Sequence, residues 1–364
     1  MQHFVPFNQR VSPSRARPLI SLQYLRGVAA LLIVLFHLFN QLRRLGYSGP
    51  TPDLLQAGVD IFFVISGFIM WYTTYDSGVN AMQFMARRIV RIVPLYWLVT
   101  TFYLVLMLVR PEAMMSARFS LSHVVYSYLF IPTTHPVFPQ HKWPLVIAGW
   151  SLNYEMFFYL LYSFSLRFQH GFRALIIIMA LCLFASMQVF DLSQEPLISF
   201  FASDIILEFG FGILLGCAFT SGIFISRSAA VLMTGAAIIA WCASPLAVLP
   251  RSVAFGIPAF LLVGSAVLYE RGSKVAEFHI PKLLGDASYS IYLSHGIVLA
   301  SFEQLWTRAI PGDGPARMVA FSLSAITLAS IAGILVYHSV ERPIIRKLSK
   351  FNIGQKSLKP TTMV

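Results

Sequence analysis

Charge is what this sequence has least of. Only 12% of its 364 residues are Asp, Glu, Lys or Arg, against about a quarter in soluble domains. A chain this poor in charge, with 57% hydrophobic residues and a mean hydropathy of +0.70, would expose much of its apolar surface to water. An ordinary soluble fold is therefore excluded, and so are disorder and a coiled coil, which both need far more charge. Cysteine is scarce as well. Cys182, Cys217 and Cys242 lie in apolar stretches, are odd in number and lack C-x-x-C spacing. Neither a disulfide framework nor a zinc or other metal site is expected. Internal repeats, linkers and low-complexity tracts are also missing.

What is there is a series of apolar runs. Reading for stretches of about 20 residues predicts an all-α, polytopic membrane protein with ten spans. They cover roughly 21–42, 57–75, 93–109, 146–166, 173–190, 197–220, 229–247, 253–269, 284–306 and 317–339. An eleventh stretch, 120–131, is too short to cross and is expected to lie in the interface or re-enter. The first run reaches spanning length with no small-residue cleavage site closing it, so it is expected to stay as an anchor. The chain divides into a tail (1–20), a transmembrane domain (21–340) and a basic tail (341–364).

The net charge of +12 raises the question of a nucleic-acid partner, but its distribution answers for orientation instead. With a cytoplasmic N-terminus, the inside segments hold 18 Lys and Arg, from Arg10, Arg15 and Arg17 to Lys356 and Lys359, and the outside segments hold 8. That bias is the positive-inside pattern, and ten spans return the C-terminus to the cytoplasm. No nucleic-acid partner is expected. The long outside loop, 110–145, carries Pro111, Pro132, Pro136, Pro139 and Pro144 with His123, His135 and His141. It reads either as a lid over an outward-facing site or as a connector.

Ionisable side chains inside the spans are costly and mark function. The set is Arg26, His37, Asp60, Glu155, Asp204, Glu208, Asp286, His295, Glu303 and His338, with Glu341 at the edge of the last span. Arg26 and His37 are eleven residues apart, three helical turns plus about 20°, so they share one face roughly 16 Å apart along the axis. Singly, Arg26 fits a snorkelling arginine and His37 a packing hydrogen bond. Together they fit a wall of a polar channel. Asp204 and Glu208 are spaced i, i+4 and are expected to form a polar patch between helices rather than a cation path. Arg87, Arg88 and Arg91 fit either a stop-transfer cluster or a phosphate clamp, with Pro94 suited to the start of the next helix.

Six strings appear in order: Leu25-Arg26-Gly27 through Phe36-His37; Gly58-Val59-Asp60-Ile61-Phe62-Phe63 through Ser66-Gly67-Phe68; Arg87-Arg88-Ile89-Val90-Arg91 through Pro94-Leu95-Tyr96-Trp97; Trp150-Ser151-Leu152 through Glu155 to Phe158-Tyr159; Ser288-Tyr289-Ser290-Ile291-Tyr292-Leu293-Ser294-His295; and Val340-Glu341-Arg342-Pro343. With the ten-span framework, they resemble the membrane-bound acyltransferase 3 family over about residues 20–345, in particular the bacterial exopolysaccharide O-acetyltransferases. The chain resembles the compact form that has no C-terminal hydrolase-like domain.

The resemblance implies an enzyme of a bacterial cytoplasmic (inner) membrane. It would transfer an acyl group, acetyl from acetyl-CoA in the usual case, to a sugar hydroxyl of an envelope glycan, such as an exopolysaccharide or its lipid-linked precursor. The acyl-CoA would be a donor substrate, and no permanently bound cofactor is expected. In this reading His37 is general base or transient acyl carrier, Glu155 orients His37 and Arg26 stabilises charge on the thioester oxygen or holds the donor. Arg87, Arg88 and Arg91 bind the coenzyme A phosphates, and Asp60, His295 and Glu341 serve packing or positioning. The rival reading is a transporter or flippase of a glycan or lipid-linked sugar. Buried charges and ten spans fit it too, but the internal symmetry and paired broken helices usual in transporters are not seen in the sequence.

Overall fold

The computed structural model describes residues 18–110, 118–189, 196–246 and 248–351. The cationic tail residues Arg10, Arg15, Arg17, Lys356 and Lys359, and Pro111 of the long loop, lie outside the described residues. The described residues form α-helices and short 3-10 or π turns, with no strand among them. A bilayer leaves backbone polar groups no water to bond, so an open chain must satisfy them within each helix.

In chain order the helices are α1 (Ile20–Arg44), α2 (Ala57–Thr74), α3 (Ala81–Val109), α4 (Leu121–Tyr128), α5 (Trp150–Ser165), α6 (His170–Val189) and α7 (Pro196–Phe201). They continue with α8 (Leu207–Thr220), α9 (Arg227–Ala243), α10 (Ile257–Gly272), α11 (His279–Asp286), α12 (Ser288–Ala309), α13 (Pro315–Val336) and α14 (Arg342–Phe351). Over the described residues, each of the ten expected spans lies mainly on helix. Six helical segments among the described residues are long and apolar enough to cross a membrane, those containing α1, α2, α3, α6, α10 and α13. The other four fall short for visible reasons. Residues 197–220 are broken at 202–206 into α7 and α8, α5 and α9 have 16 and 17 residues, and α12 is rich in serine and tyrosine.

The third span differs from expectation. Pro94 does not open a helix but lies inside α3, which begins thirteen residues earlier at Ala81. A capping box explains the early start: the Asn80 side chain accepts from the Gln83 backbone and Gln83 reaches back to Asn80, which satisfies two orphan donors of the first turn. Arg87, Arg88 and Arg91 therefore ride on the same rigid helix as the span. The segment expected to be too short to cross is α4, eight residues long, or about 12 Å. It packs against the C-terminal part of α3, where Tyr96 and Trp97 donate to the carbonyls of Ser127 and Tyr128.

Helices of a membrane bundle gain little from the hydrophobic effect between them and rely on close packing at small residues. The α2–α8 crossing shows it. A Cβ at Gly67 would lie 2.1 Å from the Phe209 carbonyl oxygen, and one at Gly212 the same distance from that of Val64. The start of α1 is closed by a remote carboxylate. Glu270 of α10 accepts from the backbone N–H of Ile20 and Ser21, both at 2.8 Å, and from the Ser21 hydroxyl at 2.5 Å.

At the other end of the bundle lies a second polar knot. Asp60, fully buried, takes two bonds from Arg251, at 3.0 and 2.8 Å. Asp204 opens a 3-10 turn and accepts from the Ser252 backbone at 2.7 Å, while Glu208 lies wholly buried in the first turn of α8. The acidic spacing thus serves a junction between elements.

Candidate active site

Helices α1, α2, α3, α5 and α12 surround a cavity of about 790 Å³ of empty space, part of it open to solvent. Its polar wall comes from Arg26, Ser66, Arg88, Arg91, Glu155 and Tyr159, with Ser151, Tyr289 and Tyr292 further along. Helical spacing does the assembly on each element. Arg88 and Arg91 are three apart on α3, Ser151, Glu155 and Tyr159 four apart on α5, and Tyr289 and Tyr292 three apart on α12, so each set faces one way.

The charges are unevenly paired. Arg91 forms an ion pair with Glu341, whose other oxygen accepts from Ser290 Oγ at 2.5 Å. Glu341 is 1% exposed, so this pair is fixed inside the bundle. Glu155 accepts from Ser66 Oγ at 3.0 Å and from the Tyr159 hydroxyl. Arg88 lies over two aromatic rings, 5.5 Å from Phe84 and 5.9 Å from Tyr159, and its buried Nε has no partner. Neither Arg26 nor Arg88 forms an ion pair among the described residues. Two guanidinium groups with no direct ion pair, and a single carboxylate, Glu155, in the same partly closed cavity, leave an excess of positive charge that suits an anion.

Further along α1, the His37 ring lies 5.0 Å from that of His295 on α12. His295 Nδ1 sits 2.6 Å from the Tyr292 carbonyl oxygen. A carbonyl only accepts, so the hydrogen is on Nδ1 and Nε2 is the basic nitrogen. Tyr292 joins this histidine pair to the cavity. Its hydroxyl donates to the Ala148 carbonyl at 2.5 Å and lies 2.7 Å from Ser151 Oγ, and Phe62 meets its ring edge-to-face at 6.2 Å.

Of the residues singled out from sequence, the structure brings Arg26, Arg88, Arg91 and Glu155 into one cavity, with Glu341 directly behind Arg91. Arg87 is exposed and does not line that cavity. Asp60 belongs to the Arg251 knot. The expected support of His37 by Glu155 is replaced. Glu155 bonds to Ser66 and Tyr159, and the neighbour of His37 is His295. The reason is register: Glu155 projects beside Arg88, whereas His37 lies three turns along α1 from Arg26. Sequence reasoning passed over Ser66, Tyr159, Tyr289 and Tyr292 as site residues. For Tyr159 the signal was its place one turn from Glu155.

The site is a cationic cavity inside a helical membrane bundle, with a histidine pair beyond it. Comparisons with known proteins supply the class. The acyltransferase domain of the acyltransferase 3 family matches residues 19–336, and the chain belongs to that family. It is 33% identical over 308 residues to the exopolysaccharide production protein ExoZ of Rhizobium meliloti (strain 1021), covering 80% of this chain and 90% of the relative. No solved structure matches. The chain is an acyltransferase and a multi-pass membrane protein, and family membership weighs against the transporter reading.

Proposed function

We propose that this protein is an O-acyltransferase of exopolysaccharide production that moves an acetyl group from acetyl-CoA to a sugar hydroxyl of the polymer or its lipid-linked precursor. The observation that carries the reading is the pair of guanidinium groups, Arg26 and Arg88, left without a direct ion pair among the described residues, in a cavity that also holds Arg91 and only one carboxylate, Glu155. Coenzyme A brings phosphates to the cationic end. Its thin pantetheine arm follows the face of α1 that Arg26 and His37 share. On the proposed topology of ten spans, with both termini in the cytoplasm of a bacterial inner membrane, the cationic end faces the side where acetyl-CoA is made.

In the transfer step His37 accepts the proton of the acceptor hydroxyl as its oxygen attacks the thioester carbonyl. The tetrahedral oxyanion forms within reach of a guanidinium. The C–S bond then breaks, and the coenzyme A thiolate takes the proton back from His37. In an acyl-histidine variant the His37 nitrogen attacks the thioester first, the C–S bond breaks and coenzyme A leaves as the thiol with a proton from the imidazole. The acceptor hydroxyl then attacks the acetyl-imidazole, the N–C bond breaks and the hydroxyl proton returns to His37. His295, with its hydrogen fixed on Nδ1, helps to set the orientation of His37.

The test is acetylation of de-O-acylated polymer oligosaccharides by purified protein in nanodiscs, supplied with acetyl-CoA. Loss of a general base costs about 10²–10⁴-fold in rate, so His37→Ala and Arg26→Ala are expected to abolish detectable turnover while the protein stays folded. Full activity in a well-folded His37→Ala protein would end the proposal.

A further inference from the structure

The outer loop between α3 and α5 carries a cluster that the transfer step does not use. The His141 and Trp143 rings lie stacked, centroids 3.7 Å apart and 5° from parallel. Phe138 meets Trp143 edge-to-face at 5.9 Å, and His135 packs on Phe138 at 5.2 Å. Behind them His123 of α4 touches His135 at 5.3 Å. His123 is 3% exposed, yet neither of its ring nitrogens has a hydrogen-bond partner. His135 Nδ1 accepts from the backbone N–H of Val137 and Phe138, both at 3.2 Å. Its hydrogen is therefore on Nε2, available as a donor.

The loop also sits where an acceptor must arrive. Arg26 and Arg91 meet in one cavity near the N-terminal ends of α1 and α3, so the C-terminal ends of those helices share the opposite side, toward which His37 lies. α4 packs against the C-terminal part of α3. From Trp143 the chain runs five residues to Ala148, whose carbonyl is held by the Tyr292 hydroxyl. Five residues span at most about 18 Å, which ties the stacked rings to the neighbourhood of the histidine pair.

The chemistry of the cluster matches one kind of ligand. A sugar ring shows an apolar C–H face, which suits the negative face of an aromatic ring, and a rim of hydroxyls. Half-buried rings of His141 and Trp143 supply the first. The second is met by the side-chain polar atoms of Gln140, His141 and Trp143, to which no hydrogen bond is assigned among the described residues. The prolines at 132, 136, 139 and 144 stiffen the loop, so the platform is preorganised. A tryptophan at this level can also serve as a membrane anchor. An anchor needs no ring stack, no unpaired imidazole behind it and no tie to Tyr292 beside the histidine pair.

We infer that the His141–Trp143 stack, backed by His135 and His123, is the subsite that holds the sugar rings of the acceptor glycan above the histidine pair. This rests on the proposed acyl transfer to a glycan, and it assigns residues to the acceptor.

The experiment uses the full chain in nanodiscs with de-O-acylated polymer oligosaccharides as probe, and two readouts. One is oligosaccharide binding without acyl-CoA, by saturation-transfer NMR and calorimetry. The other is the KM for oligosaccharide and for acetyl-CoA during transfer. Losing an aromatic contact at the upper end of its range corresponds to about tenfold in affinity. Trp143→Ala is therefore expected to raise acceptor KM and Kd about tenfold and leave donor KM within twofold, while Trp143→Phe recovers most of the loss. Trp143→Ala that binds and acetylates the oligosaccharide like wild type overturns the inference, and so does a change confined to thermal stability in lipid, which would make the stack an anchor. If the wild-type protein binds the oligosaccharide through Trp143 but transfers nothing from acetyl-CoA, the subsite stands and the proposed reaction fails.

Discussion

Arg88 offers the sharpest test of the proposed donor site, because it makes no direct ion pair among the described residues while its neighbour Arg91 is bound to Glu341. The perturbation is Arg88→Ala, compared with Arg88→Lys. A hydrogen bond to a charged group is worth about 1.5–3 kcal/mol, which is about 10- to 150-fold in affinity. Coulomb attraction agrees in scale: unit charges 4 Å apart at an effective dielectric of 20 attract by about 4 kcal/mol before desolvation is subtracted. Arg88 rests over Phe84 and Tyr159 at 5.5 and 5.9 Å, so the alanine variant also loses packing, and the control must separate the two effects. Acetyl-pantetheine supplies it, since it keeps the thioester and arm but lacks the nucleotide phosphates. Calorimetry should show acetyl-CoA binding weakened by one to two orders of magnitude in Arg88→Ala, with acetyl-pantetheine nearly unchanged. Lysine should restore part of the loss, because it keeps the charge but not the planar fork. If both ligands weaken equally, or acetyl-CoA binding stays within twofold, Arg88 does not hold phosphate.

Asp60→Asn leaves Arg251 without its carboxylate. The cost should be about 3 kcal/mol, the low end for a broken buried pair because Arg251 keeps some solvent contact, and thermal aggregation in detergent should report it. Glu270→Gln removes the charged cap from α1 and should cost about 1–2 kcal/mol, visible as faster amide exchange at Ile20 and Ser21. Gly212→Ala puts a methyl 2.1 Å from the Val64 carbonyl oxygen and should lower stability by about 1–3 kcal/mol. Gly235→Ala, in the middle of α9 with no neighbouring element within 4 Å of the new methyl, should leave the melting temperature unchanged or raise it slightly, since alanine favours a helix interior over glycine by about 0.5–1 kcal/mol.

The gross architecture was legible because bilayer thickness converts directly into run length. Positions of buried charge were legible too, since an apolar background makes each one conspicuous. Partnerships between those charges were not. Nothing in the spacing says that Arg91 meets Glu341, 250 residues away, or that Glu155 turns to Ser66 and Tyr159 instead of His37. Such pairs depend on how helices are arranged around one another, which local periodicity does not encode. Pro94 misled for a related reason: a proline usually marks a helix start, but the capping box at Asn80 had already begun the helix. The small clusters on the loop between α4 and α5 also escaped, because ring stacking between His141 and Trp143 is set by loop conformation and not by pattern.

The separation along α1 has a bearing on energetics at the level of the whole membrane. Carrying a unit charge across the full potential costs about 2.3 kcal/mol per 100 mV. On the proposed reaction, with the guanidinium groups near one end of the helix and His37 roughly 16 Å further on, the phosphates of the donor would stay with Arg26 and Arg88, and the part that advances would be an uncharged thioester arm. In that scheme acetyl groups cross the dielectric without moving net charge through the field. Turnover is then insensitive to voltage, and polymer modification draws nothing from the proton-motive force.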